Sequence, residues 1–122
     1  MVIFKCTTNG STNWITSVTN VISNKYLYLN NNGIGGSGGF AVDATNITLN
    51  NTFGDANTNA RTYMAYSFAD VAGFQKIGIY TGDGSTTGPV INTGFEPAWL
   101  MIKRYDSAGG WRIQDNKRLY AI

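Results

Sequence analysis

Apolar and polar residues alternate along this chain with a period of two, and this period limits the possible folds more than any other feature. Successive side chains of a β-strand point to opposite faces of a sheet, so the alternation predicts strands with one buried face. The clearest runs are residues 26–29, 62–68, 76–80 and 99–104. Weaker strand patterns cover residues 2–6, 13–18, 40–42, 46–49, 89–91 and 111–114.

Clusters of Gly and Asn separate these runs, at residues 9–10, 33–39, 50–59, 82–84 and 107–110. Both residue types adopt the positive-φ conformations that tight hairpins require. Only residues 69–74 have a pattern that could hold one helical turn. Parallel strands need long crossover connections, which are usually helices. The sequence therefore predicts an all-β protein, an antiparallel β-sandwich of jelly-roll character.

The composition predicts one domain and argues against nucleic acid and membranes as partners. A chain of 122 residues supports one hydrophobic core, so we expect a single domain over residues 1–122. The net charge of +2 provides no basic stripe for a phosphate backbone. No apolar run approaches the roughly 20 residues that span a bilayer. The N-terminal residues do not resemble a signal peptide, which predicts synthesis in a cytoplasm without export.

The residues that usually carry catalysis are scarce, and we expect neither enzyme activity nor a cofactor. The chain has no His to serve as a base for a nucleophile, and its single cysteine, Cys6, is expected to be a small buried apolar residue. The acidic residues mostly adjoin turn residues, where capping is their expected role. Asp83 could contribute to a calcium site, but Asp83-Gly84 is first of all a hairpin turn. No metal site is therefore predicted.

The glycine-rich run at residues 33–38 satisfies the pattern G-x-G-x-x-G. In a dinucleotide site this pattern opens a helix, whose backbone N–H groups face the pyrophosphate. Here a strand-like run, residues 40–42, follows instead. We therefore interpret the glycine-rich run as a flexible surface loop.

One segment near each end of the chain shares a pattern. An apolar strand, a Lys, a short polar turn and a Trp occur at Lys5 and Trp14, and again at Lys103 and Trp111 once one residue is gapped. Each copy predicts a hairpin in which the Trp packs back over its partner strand. If the likeness reflects a true repeat, a repeat junction lies near residues 69–76. Two short hairpins can also resemble each other by chance.

The second half of the chain carries an ordered series of motifs. They are Y-M-A-Y-S-F-A from Tyr63, G-F-Q-K-I-G from Gly73, Y-T-G-D-G-S-T-T-G-P from Tyr80, T-G-F-E-P-A-W-L-M-I-K-R from Thr93, and finally Trp111 followed by D-N-K-R at residues 115–118. This series resembles a repeat of phage tail and virion-associated proteins, especially of marine phages, described as concanavalin-like or laminin-G-like jelly rolls. In that family the Y-x-A-Y-x-F-like strand ends a domain, whereas here it precedes the other motifs. Two explanations stay open, a window from a tandem array and a permuted domain.

Most of the aromatic residues on predicted strands, namely Tyr26, Tyr28, Tyr63, Tyr80 and Trp99, are expected in the core. The resemblance implies a virion protein, and the aromatic residues beside turns or the chain end suggest its binding surface. Side chains beside turns or the chain end are the best candidates to bind a ligand or partner, namely Arg104, Tyr105, Asp106, Trp111 and Tyr120. Aromatic rings next to polar groups can stack on sugars and hydrogen-bond their hydroxyls. The first hypothesis is an adhesion module of a tail fibre or appendage that binds cell-surface carbohydrate. The alternative is a purely structural subunit whose partners are identical copies or other virion proteins.

Overall fold

The computed structural model describes residues 1–18, 25–37, 40–43, 45–49 and 56–118, and this part of the chain contains strands and no helix. The strands are β1 (Val2–Cys6), β2 (Ile15–Ser17), β3 (Lys25–Tyr28), β4 (Ile34–Ser37), β5 (Phe40–Val42), β6 (Ile47–Leu49), β7 (Tyr63–Ser67), β8 (Trp99–Ile102) and β9 (Arg112–Asp115). Every pairing between them is antiparallel. The all-β antiparallel fold expected from the alternation is confirmed.

The five-stranded sheet has the order β4-β3-β2-β1-β7, and its core-facing side is built around β1. Alternation on β1 buries Val2, Phe4 and Cys6, each at most 3% exposed, and leaves the residues between them half-buried. Ile15 of β2 pairs with Phe4 in the ladder and is fully buried. A second layer, the β5–β6 hairpin, packs Phe40, Ile47 and Leu49 on this cluster. Two β layers around one apolar core form a sandwich.

The ladder register identifies the residues on the opposite side of the same sheet. Direct ladder partners share a face, so one row crosses all five strands. This row contains Ile34, Leu27, Thr16, Ile3 and Tyr66. Thr16 and Leu27 in the middle of the row are buried, whereas Ile34 and Tyr66 at its two ends are exposed. The outer side of the sheet is therefore apolar as well, and its two edges are uncovered.

Two predicted strands are absent and one unpredicted strand is present. Residues 76–80 and 89–91 alternate like strands but have no ladder partner among the described residues, and a strand forms only where a neighbouring edge accepts its hydrogen bonds. The loop prediction for residues 33–38 is wrong over Ile34–Ser37, which pair with β3 as strand β4. Residues 69–74 form no helical turn, and a hydrogen-bonded turn closed by a bridge between Val71 and Gln75 lies there instead.

Strand β4 has no room for a side chain at position 35. A Cβ atom at Gly35 would overlap the ring of Tyr26 and also its backbone carbonyl oxygen, whereas at Gly36 the nearest atom, the Tyr26 hydroxyl oxygen, would lie 3.6 Å away. We expect Gly35→Ala to lower the free energy of unfolding by about 1 to 3 kcal/mol, as overpacking usually does. Gly36→Ala is the matched control and should change it by less than ~0.5 kcal/mol. Urea unfolding measures both, and equal losses would contradict this packing.

The single-domain assignment and the jelly-roll connectivity stay predictions.

Among the described residues, no helix is long and apolar enough to cross a membrane.

Candidate functional site

Trp111 lies where the β8–β9 hairpin contacts the five-stranded sheet. Its indole N–H donates to the Tyr28 backbone oxygen at 2.7 Å, and the side chain is half-buried. The Lys103 Nζ lies 5.8 Å from the centre of the Trp111 ring, within the range of a cation–π contact. The same ammonium donates to the Gly109 carbonyl oxygen at 2.5 Å. Trp111 therefore holds the hairpin together and attaches it to β3.

The β1–β2 hairpin repeats this arrangement. The Lys5 Nζ lies 5.9 Å from the centre of the Trp14 ring and donates to the Thr12 carbonyl oxygen at 2.5 Å. Thr12 precedes Trp14 by two positions, as Gly109 precedes Trp111. We call this arrangement of Lys, turn carbonyl and Trp the Lys–Trp clasp. The sequence likeness between the two ends of the chain thus corresponds to two hairpins of the same local geometry.

Two further hydrogen bonds attach the β8–β9 hairpin to the turn after β3. The Gly109 N–H donates to the Asn32 oxygen at 2.9 Å, and Lys103 Nζ donates to the Asn31 oxygen at 3.3 Å. Desolvation lowers the pKa of the Lys103 ammonium from its ordinary value. This Lys contacts two carbonyl oxygens and an aromatic ring, and it thereby connects the hairpin to the turn after β3.

Among the other predicted binding residues, Arg104 and Asp106 contact each other. Arg104 and Asp106 form an exposed ion pair, with the Arg Nε 2.5 Å from the Asp Oδ1. The side-chain hydrogen bond between them raises the pKa of Arg104 and lowers that of Asp106. Tyr105 lies between them in sequence and is half-buried. Tyr120 lies outside the described residues. The loop after β8 therefore presents one small polar patch around the ion pair.

Two aromatic residues expected in the core are exposed. The strand pattern predicts that Tyr80 and Trp99 are mostly buried, yet 42% of Tyr80 and 55% of Trp99 are exposed. Residues 76–80 form no strand, and β8 pairs only with β9 among the strands that the structure describes. For these two residues the prediction was wrong, because burial of an alternating face requires a second layer and no described element covers them. Tyr26, Tyr28 and Tyr63, which shared the prediction, are half-buried.

An apolar surface that was not predicted from the sequence lies on the five-stranded sheet at β7. Met64 and Tyr66 lie on the outer side of β7, and Phe68 directly follows the strand. The ring of Trp14 stacks on Tyr66 at 6.4 Å between centroids. All four side chains are exposed by 37 to 48%. We call this surface the β7 face. The alternation over residues 62–68 was the signal for it, since those three residues share a parity.

A cavity of about 650 Å³ opens at the end of the sandwich, next to the start of β1. Its polar groups include Asp70, which accepts from Lys76 Nζ at 2.6 Å and from the Ile77 N–H at 2.8 Å. Asp43 accepts from the N–H groups of Thr45 and Asn46. These hydrogen bonds lower the pKa of both carboxyl groups. Both acids therefore accept hydrogen bonds from neighbouring residues at this cavity.

The remaining reactive side chains have local roles. Cys6 is 2% exposed, as expected of a small apolar residue. Asp83 accepts from the Ser85 N–H at 2.9 Å, and Gly84 has a φ of 72°, which fits a tight turn. The described residues include no group of three or more His, Cys, Asp or Glu placed to hold a metal ion.

Comparison with known proteins yields one match. No curated protein and no solved structure matches the chain. Residues 1–121 match a family described as a domain of unknown function, DUF7483. Because this match covers almost the whole chain, the protein belongs to the DUF7483 family.

Proposed function

We propose that this protein is a non-enzymatic structural module of a virion appendage, which assembles with identical copies through uncovered apolar surfaces. The observation that carries the proposal is the number of large apolar side chains left exposed in a chain that has a well-formed core. Val90 is 98% exposed and Phe74 is 77% exposed. Exposed apolar patches of this kind mark interaction sites.

The location of these residues supports assembly rather than ligand capture. Most of them lie on the β7 face and between Val71 and Leu100, and Ile34 of β4 and Ile113 of β9 are exposed as well. Small-molecule sites are usually concave and combine apolar walls with a few convergent polar groups. Interfaces between copies need broad apolar contact with few charges at the centre. Of the chain's residues, 13% are charged, and the clasps engage Lys5 and Lys103.

The virion assignment comes from the ordered motifs of residues 63–118 and their resemblance to repeats of phage tail and virion-associated proteins. A structural subunit of an appendage has to associate with copies of itself. The exposed apolar surfaces provide that property, and the absence of His from the sequence fits a protein without acid–base chemistry.

We expect the chain to associate in a concentration-dependent manner. Mass action populates oligomers as concentration rises, so the weight-average sedimentation coefficient should increase steadily over a wide range of protein concentration. Sedimentation velocity on the complete chain measures it. High salt should leave the association intact or strengthen it, because apolar contacts are not screened. A single monomeric species throughout the range would contradict the proposal.

Binding of carbohydrate is a second candidate function, favoured by the exposed Arg104–Asp106 pair beside Tyr105. Charged groups can hydrogen-bond sugar hydroxyls while an aromatic ring stacks on the sugar face. A glycan array probed with the labelled protein tests this function. Loss of the bound signal in Arg104→Ala would support it, and an array without signal for the unmodified chain would contradict it.

A further inference from the structure

The chain contains the dipeptide Asn-Gly twice, at residues 9–10 and at residues 32–33. The first lies in the turn after β1, and the second lies between β3 and β4. In such a pair the backbone nitrogen of Gly can attack the side-chain amide carbon of Asn, since Gly has no Cβ atom to crowd the approach. The surroundings of the two pairs decide which of them reacts.

The side-chain carbonyl of Asn9 is polarised by two donors from one residue. Its Oδ1 accepts from the Ser11 backbone N–H at 3.1 Å and from the Ser11 hydroxyl at 2.7 Å. Attack on the amide carbon moves negative charge onto this oxygen, and donors already directed at it stabilise that charge. Gly10 is exposed, a Cβ there would meet no atom within 4 Å, and its N–H has no hydrogen-bond partner among the described residues. The attacking nitrogen is therefore accessible to solvent.

The second pair has the opposite arrangement. The Gly33 N–H donates to the Asn31 Oδ1 at 2.8 Å, so the nitrogen that would attack retains its proton. The oxygen of the same peptide group, that of Asn32, accepts from the Gly109 N–H at 2.9 Å. Both ends of this peptide group are therefore hydrogen-bonded, and within the described part of the chain no donor contacts the Asn32 side-chain oxygen.

We infer that Asn9 is a site of spontaneous deamidation and that the fold protects Asn32 from the same reaction. Hydroxide removes the Gly10 amide proton, and the nitrogen attacks the Asn9 Cγ to form a new C–N bond. The Asn9 side-chain nitrogen takes a proton from water and leaves as ammonia, which leaves a cyclic imide. Water then opens the imide at either carbonyl and produces aspartate or isoaspartate. The whole reaction consumes one water molecule and releases one ammonia.

The product carries a new carboxylate in the turn of the first Lys–Trp clasp. The Asn9 backbone oxygen accepts from the Thr12 hydroxyl at 3.0 Å, and the Thr12 backbone oxygen accepts from the Lys5 ammonium. In isoaspartate the backbone runs through the former side chain, and the carbonyl that Thr12 uses becomes a free carboxylate. Deamidation therefore alters the turn that positions Lys5 against the Trp14 ring.

Incubation of the folded chain at mildly alkaline pH, followed by tryptic digestion and mass spectrometry, measures both sites. Cleavage after Lys5, Lys25 and Arg61 places the two pairs in separate peptides, residues 6–25 and 26–61. We expect Asn9 to deamidate about tenfold faster than Asn32, a factor that corresponds to roughly one hydrogen bond. In the chain unfolded by guanidinium the two sites should react at similar rates. Equal rates in the folded chain, or a faster reaction at Asn32, would overturn the inference.

Two variants test the hydrogen bonds separately. Ser11→Ala removes the hydroxyl donor and should slow the reaction at Asn9 about threefold or more, with no change at Asn32. Asn31→Ala releases the Gly33 N–H and should accelerate the reaction at Asn32 alone. Near-ultraviolet circular dichroism checks that both variants fold, and an undiminished rate at Asn9 in folded Ser11→Ala contradicts the inference. If a variant does not fold, the folded and unfolded states of the unmodified chain decide the question.

Discussion

Phe4→Ala should destabilise the fold severely, because the Phe4 ring joins the two layers of the core. Phe4 is 3% exposed, and its ring meets Phe40 of the second layer edge-on at 5.4 Å between centroids. Its removal leaves a cavity between the two layers of the sandwich. We expect the free energy of unfolding to fall by about 3 to 5 kcal/mol, in the range found for buried aromatic residues. Small domains are stable by only about 5 to 15 kcal/mol, so the substitution would remove a large share of the stability.

Phe74→Ala is the matched control for this experiment. The Phe74 side chain is 77% exposed and lies in the tight turn of Val71–Gln75. Its truncation should change the unfolding free energy by less than ~0.5 kcal/mol in dilute protein. Urea unfolding followed by fluorescence measures both variants. Similar losses for Phe4→Ala and Phe74→Ala would mean that the core does not lie between β1 and the β5–β6 hairpin.

Trp111→Ala should detach the β8–β9 hairpin from the first sheet. The substitution removes the hydrogen bond to the Tyr28 oxygen and the ring beneath the Lys103 ammonium. Because Trp111 is half-buried, we expect a loss of about 2 to 3 kcal/mol, below the roughly 3 to 5 kcal/mol typical of fully buried Trp. The near-ultraviolet circular dichroism of the remaining Trp residues should weaken as the hairpin loses its fixed position.

Trp99→Ala is the control for the same residue type. Trp99 is 55% exposed at the start of β8, so its truncation should cost less than ~1 kcal/mol. Thermal unfolding of both variants, at a concentration where the chain is monomeric, distinguishes the Trp that attaches the hairpin from the exposed one. An equal loss for the two Trp residues would contradict the attachment of the hairpin through Trp111.

The sequence predicted those parts of the fold in which side chains alternate and a neighbouring strand is present. Strand β1 follows the expected pattern, with Val2, Phe4 and Cys6 buried. Residues 76–80 alternate equally well and form no strand, since alternation describes the side chains of a strand but not the edge it needs. Strand β4 was missed for the opposite reason. Its glycines carry no side-chain pattern, although Gly35 packs closely against Tyr26 of the adjacent strand.

The candidate site shows the same division between local and long-range information. The two Lys–Trp clasps correspond to a pattern of Lys, short polar turn and Trp that occurs twice, from Lys5 and from Lys103. This pattern is visible in the local sequence. The hydrogen bond from Trp111 to the Tyr28 oxygen joins residues 83 positions apart, and no local pattern encodes it. An aromatic residue beside a turn therefore suggested an exposed binding group, whereas the structure uses its polar N–H to attach one hairpin to another sheet.

Hydrogen–deuterium exchange at two protein concentrations tests most directly whether the uncovered half of the chain is completed by other copies. In dilute protein the amides of β1 and β2 should exchange slowly and those of residues 76–91 rapidly. On raising the concentration, residues 76–91 and β7 should become protected together, while β1 and β2 stay unchanged. Slow exchange of residues 76–91 in the dilute monomer, or no gain of protection on association, would contradict the account.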